Sequence, residues 1–224
     1  MEPAEEASAV VSRVVEVAHV RLSRWLTGFA ERHGPIAVDG PWIRGEDGAR
    51  ARLSSWPPPD GAGQGGSGRS TIRAATSVDE LVEAAQPPAR LALLLVRRGG
   101  YAVGIAKGAE IVERKVGRRH VQSRTAAGGW SQQRFARRRA NQADELVDAV
   151  RGHAARVLLG AGAEGLVLGG DRRLAAAVLE DVRLAPLRDL PIRELYDLPD
   201  PTSAVLTKAL ARARAVRIEL DEEA

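Results

Sequence analysis

Leu91-Ala92-Leu93-Leu94-Leu95-Val96 is the stretch of sequence that decides the fold. A continuous apolar run of this length indicates a strand buried on both faces, at the centre of a sheet. Gly99-Gly100 follows as a hairpin turn, and Tyr101–Ala106 and Ala109–Val116 are predicted to complete an antiparallel meander. The sheet therefore begins with three strands that are consecutive in the chain, the first of them central.

A long helix with one narrow apolar seam is predicted after the meander. Small apolar residues recur alternately four and three positions apart, which places them on one helix face and lets the helix lie close to a sheet. The seam consists of Ala136, Ala140, Ala143, Val147, Val150, Ala154 and Val157.

Strands and helices then alternate. Leu166–Leu168 is predicted as a buried strand, Arg172–Asp181 as a helix, Leu184–Leu187 as a further strand, and Pro201 to about Val216 as the last helix. Three antiparallel strands followed by alternating helices and strands indicate an RNase H-like mixed sheet. This part of the chain is therefore predicted to be α/β, within an overall α+β protein.

A small α+β unit is predicted over residues 1–56, followed by a Pro- and Gly-rich linker over 57–70 and a second domain over 71–224. In the second domain, Ser77-Val78-Asp79-Glu80 has the pattern of a capping box and predicts a helix start. The elements expected in the first unit are a strand over Val11–Val17, a helix over Val20–His33, and short strands over Ile36–Val38, Trp42–Arg44 and Ala49–Leu53. Its core is predicted to contain Trp25, Trp42 and Trp56, and base stacking is the alternative role for these residues.

Composition narrows the class of protein. The chain has 224 residues, 44% of them hydrophobic, and no cysteine, which excludes disulfides and thiolate metal sites. No apolar run approaches the roughly 20 residues of a membrane span. The start of the chain is acidic and lacks a signal-peptide pattern, so we expect a cytoplasmic protein without a membrane partner.

Positive charge is concentrated in one segment, although the net charge is only +4. Between Lys107 and Arg139 there are ten Lys or Arg residues, and the only acids are Glu110 and Glu113. Local positive charge on a nearly balanced chain is typical of proteins that bind polyanions. The alternative is a solvated surface that is merely rich in arginine.

Three common kinds of site are not supported. Gly160–Gly165 matches the dinucleotide pattern G-x-G-x-x-G but precedes a strand, so it is interpreted as a helix-ending loop. The central strand carries no acid, which disfavours a metal-dependent nuclease despite Asp144, Glu145 and Asp171. The four histidines form no zinc-binding motif, and no metal or other cofactor is predicted; they are His19, His33, His120 and His153.

A glycine pair, Gly128-Gly129, ends a basic loop predicted over Arg118–Gly129, and Gln132 and Gln133 follow before an arginine-rich helix. Glycines let the backbone approach a substrate closely. A glutamine amide neither gains nor loses a proton near neutral pH, but it positions water and donates hydrogen bonds. The chemistry expected here is therefore catalysis by positioning; the alternative is a simple turn followed by a helix start.

This segment resembles the central domain of eukaryotic and archaeal class-1 peptide-chain release factors. In those proteins a Gly-Gly-Gln tip precedes a helix that begins Ser-Ala-x-Arg-Phe-Ala-Arg, in a domain with an RNase H-like fold. Trp130 stands where the release factors have their catalytic glutamine. Gly129-Trp130-Ser131-Gln132 instead resembles the Gly-x-x-Gln variant of release-factor-like peptidyl-tRNA hydrolases of ribosome-associated quality control, in particular their actinobacterial branch. The matching residues are Gly128, Gly129, Ser131, Arg134, Phe135, Ala136, Arg137 and Arg139.

The resemblance implies a monomeric enzyme that hydrolyses peptidyl-tRNA at the peptidyl-transferase region of the large ribosomal subunit. Gln132 would orient water, with Gln133 as the alternative, and Gly128 and Gly129 would shape the loop. The residues expected to contact RNA phosphates are Arg118, Arg119, Arg124, Arg134, Arg137 and Arg138. A non-catalytic ribosome- or RNA-binding relative is the alternative, because Trp130 replaces the glutamine.

Overall fold

The computed structural model describes residues 11–56, 71–118 and 130–222, and within residues 130–141 it describes the backbone alone. Ten strands and six helices lie within these ranges. The strands are β1 (Val11–Ala18), β2 (Ala37–Asp39), β3 (Trp42–Arg44), β4 (Arg50–Ser54), β5 (Arg90–Arg97), β6 (Gly100–Lys107), β7 (Glu110–Arg118), β8 (Gly165–Gly170), β9 (Ile192–Leu195) and β10 (Ala215–Glu222). The helices are α1 (Leu22–His33), α2 (Val78–Ala84), α3 (Trp130–Leu158), α4 (Arg172–Leu179), α5 (Ala185–Arg188) and α6 (Ser203–Ala213).

The described chain forms two compact units, and the first of them is discontinuous. Residues 11–56, 71–87 and 214–222 belong to the first unit, and residues 88–118 and 130–213 belong to the second. The predicted linker at 57–70 lies outside the described residues. The helix predicted from the capping box is present as α2, but it belongs to the first unit rather than the second.

The first unit is one antiparallel sheet with helices packed on its core face. The strand order is β1-β10-β4-β3-β2. Leu22, Leu26 and Phe29 of α1 share one helix face and are buried against Ile43 and Ile218 of the sheet. The α1 helix ends at Gly34, whose φ of 77° is readily adopted only by glycine.

The tryptophan prediction for this unit is partly wrong. Trp56 is buried and Trp25 is half-buried, but Trp42 is 40% exposed. On β3, Ile43 points into the core, so its neighbour Trp42 faces the other way, with the Arg52 guanidinium 5.9 Å from its ring. Strand alternation therefore overrides the preference of a large aromatic ring for burial.

The second unit is a mixed sheet in the order β7-β6-β5-β8-β9. The β5/β6 and β6/β7 pairs are antiparallel, and the β5/β8 and β8/β9 pairs are parallel. This is the strand order of the RNase H-like fold, so the predicted fold class is confirmed. As predicted, Leu91–Val96 is central: Ala92, Leu94 and Val96 contribute to one apolar cluster, and the alternate leucines of β5 are buried on the other face.

Two predictions near the end of the chain are wrong. Leu184–Leu187 is not a strand, because α5 begins at Ala185 with Pro186 in its first turn, and the strand of that region is Ile192–Leu195 instead. The last helix does not continue to Val216 but ends at Ala213, and β10 follows. Since β10 pairs with β1 and β4, it completes the sheet of the first unit.

Candidate functional site

β7 precedes the basic loop predicted over Arg118–Gly129 and α3 follows it, and residues 119–129 lie outside the described residues. β7 is an edge strand, and its last residue, Arg118, pairs with Gly100 of β6. Arg114, Lys115 and Arg118 are exposed, and within the described part of the chain no ion pair joins any of them to an acid. The strand that leads into the segment therefore presents uncompensated positive charge to solvent.

The helix that follows the segment begins earlier than the sequence indicated. The α3 backbone is helical from Trp130, so Gln132 and Gln133 lie in the first helical turn rather than in the loop. The first four N–H groups of a helix have no acceptor within the helix. The two glutamines are therefore placed where the backbone itself offers unused donors.

The predicted seam of α3 is confirmed where its side chains are described. Val147, Val150, Ala154 and Val157 are buried and belong to the apolar cluster of the second unit. Leu146 and Leu158 are buried beside them, which widens the seam beyond the predicted stripe. The side chains of Ala136 and Ala140 lie outside the description, and Ala143 is half-buried.

Tyr101 of β6 contacts both the end of β7 and α3, and no pattern in the sequence indicates this role. Tyr101 of β6 pairs with Gly117, and a β-carbon at Gly117 would lie 2.4 Å from the Tyr101 Cε1 atom. The same ring stacks on His153 of α3, with ring centroids 5.3 Å apart and an angle of 20°. A side chain at position 117 would therefore displace the Tyr101 ring from its place on His153, and the strand and the helix on either side of the basic loop share this aromatic contact.

The surroundings of His153 in this contact favour its neutral form. Partial burial is the main cause that lowers its pKa, and the positive charges of Arg156 and Lys115 lower it further. The only signal in the sequence was a lone histidine without metal-binding partners. Its structural role with Tyr101 depends on a contact between β6 and α3 that residue spacing does not reveal.

The predicted site residues fall into three groups. Arg118 is described, exposed and at the end of β7. The backbone of α3 carries Gln132, Gln133, Arg134, Arg137 and Arg138. Arg137 and Arg138 follow Arg134 by three and four residues, so the three positions lie on one face of the helix. Outside the described residues lie Arg119, Arg124, Gly128 and Gly129.

The other candidate sites have structural roles. The Asp171 carboxylate accepts hydrogen bonds from the backbone N–H groups of Arg173 and Leu174, so it caps α4. Gly160 and Gly162 have positive φ between the end of α3 and the start of β8, which confirms a helix-ending loop. In the described ranges there is no cluster of three metal-binding side chains, and none of the helices is long and apolar enough to cross a membrane.

Comparison with known proteins gives one family match. The family model of the Actinobacteria/chloroflexi VLRF1 release factor matches residues 89–219, which is more than half of the chain. No curated protein sequence matches the chain.

Two solved structures are similar at low sequence identity. The Vms1 mitochondrial localization core has 12% identity and a TM-score of 0.42, and the match covers 88% of this chain and 80% of that one. The archaeal translation termination factor aRF1 has 18% identity and a TM-score of 0.37, and the match covers 62% of this chain and 40% of that one.

Proposed function

This chain belongs to the Actinobacteria/chloroflexi VLRF1 release factor family, and we propose that it is a peptidyl-tRNA hydrolase that acts on stalled ribosomal complexes. It cleaves the ester between the nascent peptide and the tRNA, at the peptidyl-transferase region of the large subunit. It works as a cytoplasmic monomer without a metal or other cofactor. The observation that carries the proposal is the position of Gln132 in the first turn of α3. This helix begins at Trp130, directly after the Gly128-Gly129 pair, and lies within the family match.

Hydrolysis forms a bond from a water oxygen to the ester carbonyl carbon and breaks the bond from that carbon to the tRNA oxygen, which leaves as a hydroxyl group with a proton from the water. The reaction needs a positioned water and a hydrogen-bond donor that stabilises the negative charge developing on the carbonyl oxygen. In our proposal the Gln132 amide holds the attacking water by hydrogen bonds, since an amide neither gains nor loses a proton at neutral pH. A backbone N–H of the first α3 turn donates to the developing oxyanion. Gly128 and Gly129 let the chain approach the ester closely, and Gln133 is the alternative positioning amide.

The arginines bind the surrounding RNA rather than the reacting atoms. Arg118 is exposed at the end of an edge strand, and Arg134, Arg137 and Arg138 share one face of α3. Cations in the first turns of a helix oppose its macrodipole, so folding alone does not favour them there. We propose that these four residues, with Arg119 and Arg124, contact phosphates of rRNA and tRNA.

A release assay tests the proposal directly. Large subunits that carry peptidyl-tRNA are mixed with the purified chain, and free peptide and subunit-bound protein are measured in the same samples. The proposed enzyme releases peptide with multiple turnovers. A non-catalytic ribosome-binding protein, which Trp130 in place of the release factors' glutamine would favour, occupies the subunits without releasing peptide. A nuclease would shorten the tRNA, and a chelator would stop it.

Neutralising two arginines should weaken ribosome binding and reduce its dependence on salt. Each phosphate contact contributes about 0.7–0.9 to the slope of log K against log salt concentration, so the Arg137→Gln/Arg138→Gln variant should lose roughly 1.4–1.8 of that slope. Binding to large subunits is measured by sedimentation between low and physiological salt.

The matched control removes the same charge elsewhere in the second unit. Arg173 is exposed on α4, and Arg188 is exposed at the end of α5. The Arg173→Gln/Arg188→Gln variant therefore lowers the net charge by the same amount as the Arg137→Gln/Arg138→Gln variant. This control should keep the wild-type slope. Equal slopes for both double variants would show a general charge effect and contradict phosphate contacts by Arg137 and Arg138.

A further inference from the structure

The first unit contains a cleft that the family match does not explain. Its volume is about 550 Å³, within the range of small-molecule sites, and it is lined by side chains of α1, β1, β4 and β10. All but β10 precede residue 89, where the family match begins. A function for this cleft must therefore be sought in its own residues.

One wall of the cleft is aromatic. Trp25, Phe29 and His33 recur every four residues on one stripe of α1. The Trp25 and Phe29 ring centroids are 5.6 Å apart with an angle of 27°, and those of Phe29 and His33 are 4.5 Å apart. Because Phe29 is fully buried in the core, it holds the half-buried Trp25 indole in place at the cleft. A fixed indole with accessible surface is a stacking platform for a planar ring.

The acids in the cleft already have partners. The Asp47 carboxylate lies 2.9 Å from His33 Nδ1 and accepts a hydrogen bond of 3.0 Å from the Ala49 N–H group. Asp221 forms an ion pair of 3.6 Å with Arg50. Both carboxylates therefore already have partners within the first unit, Asp47 with His33 and Ala49 and Asp221 with Arg50.

Two cations of the cleft remain without such a partner. Arg13 on β1 and Arg32 in the last turn of α1 both line it, and within the described residues neither forms an ion pair with an acid. A β-carbon built at Gly28 would lie 3.8 Å from Arg32 Nη1. Gly28 lies between Trp25 and Arg32 on the same face of α1, so the Arg32 guanidinium extends along that face toward Trp25. Two guanidinium groups and an indole thus face one cavity.

We propose that this cleft binds a nucleotide, with the base stacked on Trp25 and the phosphate held by Arg13 and Arg32. A planar ring that carries an anion is the ligand class that matches both halves of the lining. The nucleotide is either part of a single-stranded RNA or a free mononucleotide, and the two sources share this chemistry. The site is separate from the proposed hydrolase site and does not depend on it.

The test reads Trp25 directly in the full-length chain. The four tryptophans give four indole N–H signals in a ¹H–¹⁵N spectrum, and the Trp25 signal is assigned by its loss in Trp25→Phe. A single-stranded RNA hexanucleotide and adenosine monophosphate are titrated separately. The Trp25 indole signal should shift in proportion to occupancy, whereas the signal of buried Trp56 should not.

Variants then connect the shift to the cleft. Two variants should each weaken binding about ten-fold. In Arg13→Gln/Arg32→Gln binding is measured from the shift of the Trp25 indole signal, and in Trp25→Leu it is measured from the shift of the Ala49 amide signal. Arg21→Gln/Arg24→Gln is the matched control, because it removes the same charge and both arginines are exposed but do not line the cleft, and it should bind as wild type does.

Each outcome decides a point. A shift with the RNA but not with the mononucleotide assigns the cleft to an RNA strand, and equal affinities assign it to a free nucleotide; both support the proposal. A Trp25 signal that the mononucleotide does not shift, and that also stays unmoved while RNA saturates the chain, overturns it. An equal shift with a hexaglutamate peptide also overturns it, since the cleft would then bind acidic protein segments by charge alone.

Discussion

Replacing Gln132 by alanine should lower the rate of peptide release by about 10²–10³-fold, the effect expected when one positioned hydrogen-bonding group is removed from a catalytic site. Binding to large subunits should stay nearly unchanged, because the proposed phosphate contacts belong to the arginines. Alanine suits the first turn of a helix, so α3 should still begin at Trp130. Single-turnover release at saturating protein separates the chemical step from binding.

Gln133 is the matched control for this change. It is adjacent in the same helical turn, and Gln133→Ala removes the same amide at a position about 100° around the helix. If Gln133→Ala alone abolishes release, the positioning amide is Gln133 and the reaction stays as proposed. Release at the wild-type rate from the double variant would falsify catalysis by a side-chain amide.

Replacing Gly170 by alanine should destabilise the second unit by at least about 3 kcal/mol. Gly170 ends β8 with a φ of 91°, and a β-carbon there would lie 2.1 Å from the Val96 carbonyl oxygen. Backbone cannot move aside as a flexible side chain does, so the parallel pairing of β5 with β8 must open at that end. The free energy of unfolding is measured by urea denaturation followed by circular dichroism.

Two glycine controls separate the causes. Gly108 also has a positive φ, 59°, but open space around it, so Gly108→Ala reports the backbone strain alone. Gly152 lies exposed within α3 with no atom within 4 Å of its β-carbon position, and Gly152→Ala should stabilise the helix by about 0.5–1 kcal/mol. A loss at Gly170 no larger than that at Gly108 would contradict the predicted clash.

Elements with a strong local pattern were predictable from the sequence. Leu91–Val96 is apolar throughout because β5 is covered on both faces, and Leu22, Leu26 and Phe29 show the helical period because only one face of α1 is buried. The capping box was equally local, since Ser77 Oγ accepts a hydrogen bond from the Glu80 N–H group. In each case the pattern and its physical cause lie within a few residues.

Elements whose stability comes from distant partners were not predictable. β9 is four residues with two charges, and it includes Arg193, which is buried because its guanidinium donates to the Ala213 carbonyl group. β10 follows α6 almost directly and pairs with β1 and β4 some 160–200 residues earlier in the chain. Spacing within a short window carries no information on such partners.

The candidate site was predictable in composition but not in arrangement. The glycine pair, the glutamines and the arginines are visible in the sequence. The sequence predicted both glutamines to lie in a loop, whereas α3 begins at Trp130 and includes them. The stack of Tyr101 on His153 was not predictable, because its two rings belong to elements joined only by the fold.

The pairing of β10 between β1 and β4 has a consequence for the order of events during synthesis. A ribosome makes the N-terminal half of the first unit early, but the sheet of that unit lacks an inner strand until residues 215–222 have left the exit tunnel. The five strands of the second unit all precede β10 in the chain, so the sheet of that unit can be completed before the sheet of the first. The sheet whose first strands are made early is therefore completed late, and β1 and β4 each keep an unpaired edge until β10 emerges.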